Sequence, residues 1–169
     1  MIFVTVGTQL PFDRLIQSID RWAGSSSVGQ VVAQIGPSRL KPSHLQWVEF
    51  VGPEEFRRYV ETADIVVSHA GMGSILTALE LGKPILVLPR RADLGEHRND
   101  HQMATARRFR EQGRIEVAFD ETELLQKLTQ LNTIRARDRI STQASPSLVQ
   151  TLRAFIAGEN VLSRIQRAS

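Results

Sequence analysis

The chain has no cysteine, which removes disulfides and thiolate metal sites from consideration and fits a reducing compartment. Aromatic residues make up only 6% of it and do not interleave with the basic stretch near the C-terminus. Stacking on single-stranded nucleic acid is therefore disfavoured. No apolar run approaches the roughly 20 residues of a membrane-spanning helix. The apolar start Met1–Gly7 is short and lacks a basic flank, so it reads as a first strand rather than a signal peptide. A cytoplasmic protein is expected. Three nucleotide and hydrolase signatures are also missing. There is no Gly-x-Gly-x-x-Gly after the first strand, no Gly-x-x-x-x-Gly-Lys-Ser/Thr and no Gly-x-Ser-x-Gly. A dinucleotide-dependent dehydrogenase, a P-loop NTPase and a serine-elbow hydrolase are thereby disfavoured.

What is present is an ordinary globular composition, 41% hydrophobic and 23% charged, over 169 residues. That length is most simply one domain, able to bury about 70% of its unfolded surface. The net charge of +3 is unevenly spread. From Gln130 onward six basic residues (Arg135, Arg137, Arg139, Arg153, Arg164 and Arg167) face two acidic ones (Asp138 and Glu159), giving +4 there and −1 elsewhere. Such a tail suits an anionic surface such as phospholipid headgroups, or is simply a solvated end.

Short apolar runs alternate with helical patterns along the chain. Strands are expected at 2–6, 31–35, 47–51, 65–67, 85–88 and 115–119, most of them apolar throughout. Helical faces follow: Leu15, Ile16, Ile19 and Trp22; 54–63; Ile75, Leu76 and Leu79; 100–112; and 121–131. Uninterrupted apolar strands separated by helices predict α/β architecture, a Rossmann-like doubly wound parallel sheet covered on both faces. The domain is expected over 1–131, a linker over 132–146, and a C-terminal helix with a basic tail over 147–169. In that helix Leu148, Val149, Leu152, Phe155 and Ile156 share one face. Packing on its own sheet and docking on a partner are both open to it.

Ligands of such sheets sit at the carboxyl ends of the strands, so the loops after strands one, four and five should converge. Gly7-Thr8-Gln9 offers a close backbone approach and a hydroxyl for an anion. His69-Ala70-Gly71-Met72-Gly73-Ser74 joins a strand to a helix, where N–H groups hold phosphate. Read alone, it is better taken as a glycine turn beside a packed histidine, and the third loop is what weakens that reading. The third loop, 90–102, is dense in ionic side chains and holds His97 and His101. Their spacing raises a zinc site, but Arg98 stands where the metalloprotease pattern needs Glu. Glu96 is better suited to a sugar diol.

The segments Val6–Ile16, Ser68–Ser74, Leu81–Pro84 and Gly95–Gln102, in that order, resemble the donor-binding halves of GT-B glycosyltransferases of family 28. The likeness extends over roughly the first 120 residues. It is strongest to small stand-alone subunits of two-component bacterial exopolysaccharide and capsule glycosyltransferases. It also takes in the soluble subunit of the eukaryotic enzyme that adds the second GlcNAc to dolichol-linked sugar. The resemblance implies the C-terminal half of a GT-B fold and a UDP-sugar site. Diphosphate contacts would come from Gly7, Thr8 and Gln9 and from the turn and helix at His69, Ala70, Gly71, Met72, Gly73 and Ser74. Hydroxyls of the transferred sugar would meet Asn99, Asp100, His101 and Gln102. Several relatives carry a ribose-binding Glu at the position of Thr77, so Thr77, Glu80 and Glu96 are the ribose candidates. The resemblance further implies inversion without a metal or other cofactor, with basic side chains such as Arg90 or Arg91 stabilising the leaving group. The acceptor site would lie on a membrane-associated partner subunit that binds a lipid-linked oligosaccharide and recruits this chain to the inner face of the membrane. No general base is assigned. A non-catalytic nucleotide-binding module and a self-sufficient homodimeric transferase remain open.

Overall fold

The computed structural model describes residues 1–141, 143 and 146–157. Six strands, β1 (Ile2–Thr5), β2 (Val31–Gln34), β3 (Gln46–Val48), β4 (Ile65–His69), β5 (Ile85–Leu88) and β6 (Glu116–Val117), form one sheet. Its order is β3-β2-β1-β4-β5-β6, and every pairing is parallel. The helices are α1 (Asp13–Ser25), α2 (Pro53–Thr62), α3 (Met72–Glu80), α4 (His101–Glu111), α5 (Glu121–Thr129) and α6 (Pro146–Ile156), with a 3-10 turn at Leu131–Thr133. This is the expected Rossmann-like doubly wound architecture.

Strand alternation explains why the runs are apolar throughout. Ile2, Val4, Val31, Ala33, Ile65, Val67, Leu86 and Leu88 point to one face, under α1 and α5. Phe3, Val66, Ile85, Val87 and Val117 point to the other, under α2, α3 and α4. Neither face meets water, so neither tolerates a polar side chain in the middle of a strand. The polar exceptions sit at the carboxyl ends: Thr5, Gln34 and Ser68 are all buried.

β1 and β2 each end one residue early, and the two edge strands are cut back further. β3 stops at Val48 rather than 51, and its residues are exposed or half-buried because it is an edge strand paired only with β2. β6, at the opposite edge, keeps two residues of the expected five. Residues 131–140 run past that edge: Ile134 is buried in the first core, Arg137 pairs with Glu116 at 3.1 Å, and Ile140 packs on the second core. The stretch thus covers an edge that would otherwise be open. In α6 only Ala154 is buried, while Leu152, Phe155 and Ile156 are exposed. Arg164, Arg167 and Glu159 of the basic tail lie outside the described residues.

Chain order reverses between β1 and β4: β2 and β3 extend the sheet one way, β5 and β6 the other. The loops after β1 and β4 therefore diverge and leave a crevice at the carboxyl edge. In the second core, Phe3 lies stacked on Tyr59 (5.0 Å between centroids) and edge-on to Phe56 (5.7 Å), with no exposure. Phe3→Ala should lower unfolding free energy by about 3–5 kcal/mol in a denaturant titration. A loss below about 1 kcal/mol would mean that this face is not close-packed.

Candidate functional site

The crevice is a cavity of ≈ 650 Å³, walled by the three loops singled out in the sequence. From the β1 loop come Gly7, Thr8, Gln9 and Leu10, and from the β4–α3 turn His69, Gly71, Gly73, Ser74 and Thr77. Arg90, His97, His101 and Gln102 close it from the β5 side. Of the expected site residues, Ala70, Met72, Glu96, Asn99 and Asp100 are not in its lining. Ala70 is buried, and Met72, the first residue of α3, is 47% exposed. Asn99 Oδ1 accepts from the His101 backbone N–H, and Asp100 Oδ1 from Ala92 N–H. Both Glu96 oxygens are engaged, with Arg14 at 2.6 and 2.8 Å and with Arg91 N–H at 2.9 Å. Of the three ribose candidates, Thr77 alone faces the cavity, and Glu80 lies 3.8 Å from Arg57.

Glycine is required at two points. Gly7 has φ +79°, and a Cβ there would sit 2.8 Å from the His69 ring. A Cβ on Gly71 would meet His69 Nε2 at 2.1 Å. The imidazole is thus held between two backbone segments, with Nδ1 3.2 Å from Ser68 Oγ. α3 begins at Gly71 with no side-chain cap. The amides of Gly73 and Ser74 and the positive end of the helix dipole are consequently open beside the cavity.

Arg90 departs from the expectation that it would present its guanidinium to a ligand. It is 2% exposed and donates to the carbonyls of Val6 (2.9 Å), Leu10 (2.6 Å) and Pro11 (2.6 Å), and to Glu96 O (3.4 Å). Burial pulls its pKa down to about 10, so it stays charged at neutral pH. Its partners are dipoles rather than a carboxylate, and its positive field reaches the cavity. Arg91 instead pairs with Asp93 at the surface. Gln102, 4% exposed, accepts from Ala70 N–H and Arg90 N–H through one oxygen, tying the second loop to the third. No described residue accepts a hydrogen bond from its NH2.

Among the lining residues missed in the sequence are Gln34, Val51, Pro53, Phe56 and Arg57. They lie at the end of β2 and in the segment after β3, and only the strand order shows that these edges reach the same crevice. The available signal was Gly52-Pro53, directly after the strand expected at 47–51. His97 and His101 lie with ring centroids 4.3 Å apart and planes at 76°. Among the described residues, no three His, Cys, Asp or Glu side chains gather as a metal site.

The model of the glycosyltransferase family 28 C-terminal domain matches residues 1–152. The chain belongs to this family. It is similar to the UDP-N-acetylglucosamine transferase subunit ALG13 of Homo sapiens, with 32% identity over 124 residues. That match takes in 68% of this chain and 10% of the human protein, so the chain spans about a tenth of that relative. The fold resembles the NMR solution structure of ALG13, with TM-score 0.57 and 21% identity over 84% of this chain and 90% of that one. It also resembles an S. aureus MnaA–UDP co-structure, with TM-score 0.65 and 13% identity over 92% of this chain and 46% of that one. At these identities the two solved structures bear on the fold alone.

Within this family 28 domain, His69 carries the most perturbed imidazole. Burial, then the charge of Arg90, push its pKa from 6.5 down to about 4. An unfolded chain binds this proton near pH 6.5 and the folded one only near 4, so stability falls as pH drops through that window and is unaffected above it. A proton–carbon NMR titration should place the His69 Cε1 midpoint near pH 4. A midpoint above about 6, the ordinary range for an exposed imidazole, would contradict the desolvated, Arg90-facing placement.

Proposed function

We propose that this chain is the donor-binding part of an inverting UDP-sugar glycosyltransferase. In this reading it acts in polysaccharide biosynthesis at the inner face of the membrane, extending a polyprenyl-diphosphate-linked oligosaccharide. The observation that carries the reading is the pairing of an uncapped helix N-terminus with a buried Arg90, hydrogen-bonded only to backbone carbonyls, around one cavity at the switch point of the sheet. Both features favour negative charge, and together they suit a diphosphate without a metal. The apolar flank at Val51 and Phe56 suits a nucleobase, Thr77 the ribose, and the His101 and Gln102 side the sugar.

Chemically, an acceptor hydroxyl oxygen attacks the anomeric carbon as the bond from that carbon to the diphosphate oxygen breaks. The electron pair leaves on UDP, where the N–H groups of Gly73 and Ser74 and the Arg90 field stabilise it. The hydroxyl proton passes to a general base on the acceptor side. His69, wedged between Gly7 and Gly71, shapes the phosphate wall and does not serve as that base. The acceptor site and the base belong to a membrane-associated partner subunit. The exposed Leu152, Phe155 and Ile156 on α6 supply an apolar face for contact with it.

Titration calorimetry with UDP, UDP-glucose, UDP-galactose, UDP-GlcNAc and UDP-glucuronate tests the reading. Binding of UDP and of one sugar nucleotide is expected, with sugar transfer appearing only when the membrane subunit is added. Absence of heat with all five would sink it. Transfer by the purified chain alone would instead establish a self-sufficient enzyme, and binding with no transfer in either assay a non-catalytic module.

A further inference from the structure

Two cavity walls are tied together by crossed guanidinium groups. Arg90, just after β5, reaches the carbonyls of the β1 loop, as described above. Arg14, on α1, reaches in the opposite sense. Its Nε donates to Glu96 Oε1 at 2.6 Å, and its Nη2 to Glu96 Oε2 at 2.8 Å and to Pro89 O at 3.0 Å. The buried ring of Phe12 lies near both, 4.6 Å from the Arg90 guanidinium carbon and 5.3 Å from that of Arg14. The Arg14 and Glu96 side chains are 11% and 13% exposed. Glu121, 41% exposed, adds a looser contact at 3.1 Å.

An ion pair so nearly closed to water gains little net stability, because desolvation offsets most of its attraction. What a two-pronged Arg–carboxylate contact does fix is geometry. The residue it fixes here is next to His97. His97 is half-buried and lines the cavity against His101; its Nδ1 is closed to water and makes no hydrogen bond of normal geometry among the described residues, the Asn99 side chain acting on the ring only electrostatically. A buried polar atom left without a partner calls for a functional explanation. A wall held by its neighbours and completed by a ligand supplies one.

We propose that Arg14 is a positioning residue: by gripping Glu96 it sets His97 against His101, so that this wall meets the sugar of a nucleotide sugar rather than its diphosphate. The inference rests on the nucleotide-sugar reading. It predicts a separation that a general loss of structure does not produce. UDP, seated on the β1 loop and α3, is indifferent to Arg14, and the affinity added by the sugar is not.

The test compares wild type with Arg14→Lys, which keeps the charge but loses the fork, and with Glu96→Gln. Glu121→Gln serves as a control and should behave as wild type. Calorimetry uses UDP and whichever of the four sugar nucleotides named above binds tightest. Both lock variants should bind UDP within about twofold of wild type, while the affinity gained from the sugar falls about tenfold, the scale of one or two lost hydrogen bonds. Equal weakening of both ligands, no weakening of either, or no sugar contribution in wild type would each overturn the proposal. If wild type binds no UDP, the nucleotide-sugar reading fails on its own. The positioning is then read in the ligand-free protein by NMR. His97 and His101 ring resonances that move in Arg14→Lys while His69 stays fixed support it, and unchanged resonances overturn it.

Discussion

The site depends on a buried positive charge. Arg90 is closed off from water beside β5, and an unpaired cation there would be costly. What makes it tolerable is a ring of carbonyls from Val6, Leu10, Pro11 and Glu96, every one in a loop at the carboxyl edge of the sheet. The requirement runs both ways. The loops adopt their conformations because their oxygens must solvate the guanidinium, and the guanidinium remains charged because those oxygens are there. The same charge depresses the proton affinity of His69 and gives the cavity a positive field before any ligand arrives. In the proposed reading, an anion would be met by a preorganised dipole and charge arrangement rather than by a cluster of flexible surface cations.

Much of this was legible in the sequence because the informative signals are local. A strand buried on both faces must be apolar throughout, so Ile65–Val67 and Ile85–Leu88 announce both their state and a parallel sheet. Glycines that must let a ring approach, as Gly7 and Gly71 do, sit in recognisable turns. The rest was hidden because it depends on distant partners. Arg90 reads as a ligand-facing cation until its carbonyl acceptors some 80 residues earlier are known. Glu96 reads as a free carboxylate until Arg14 is found 82 positions away in the chain. Gln34 and Phe56 join the cavity only through the order β3-β2-β1-β4. Edge strands β3 and β6 were overextended because edge pairing, not apolarity, sets where they stop.

The cavity also shows a division of labour. Its β1 and β4 walls bring Gly7, Gly71 and Gly73 and the open amides at the start of α3 to the cavity beside the Thr8, His69 and Ser74 side chains, and in the proposed reading these amides meet phosphate oxygens. Its β5 wall is made of side chains held by side chains, with Gln102 tied to two amides and His97 placed beside the Arg14–Glu96 contact. Side-chain walls change by substitution without disturbing the sheet, so in the proposed reading selectivity for the transferred group would be set there. No described helix is long and apolar enough to cross a membrane. In the proposed assembly, membrane attachment and the acceptor come from the partner.

The central claim is that a diphosphate sits between the β1 loop and the N-terminus of α3. A proton–nitrogen correlation spectrum recorded during titration with UDP reads that directly, amide by amide. The account predicts the largest shifts at Gly7, Thr8 and Gln9 and at Gly71, Met72, Gly73 and Ser74, with α5 and α6 unmoved. Saturable shifts concentrated instead on α4 or α6, with residues 7–9 and 71–74 silent, would contradict it.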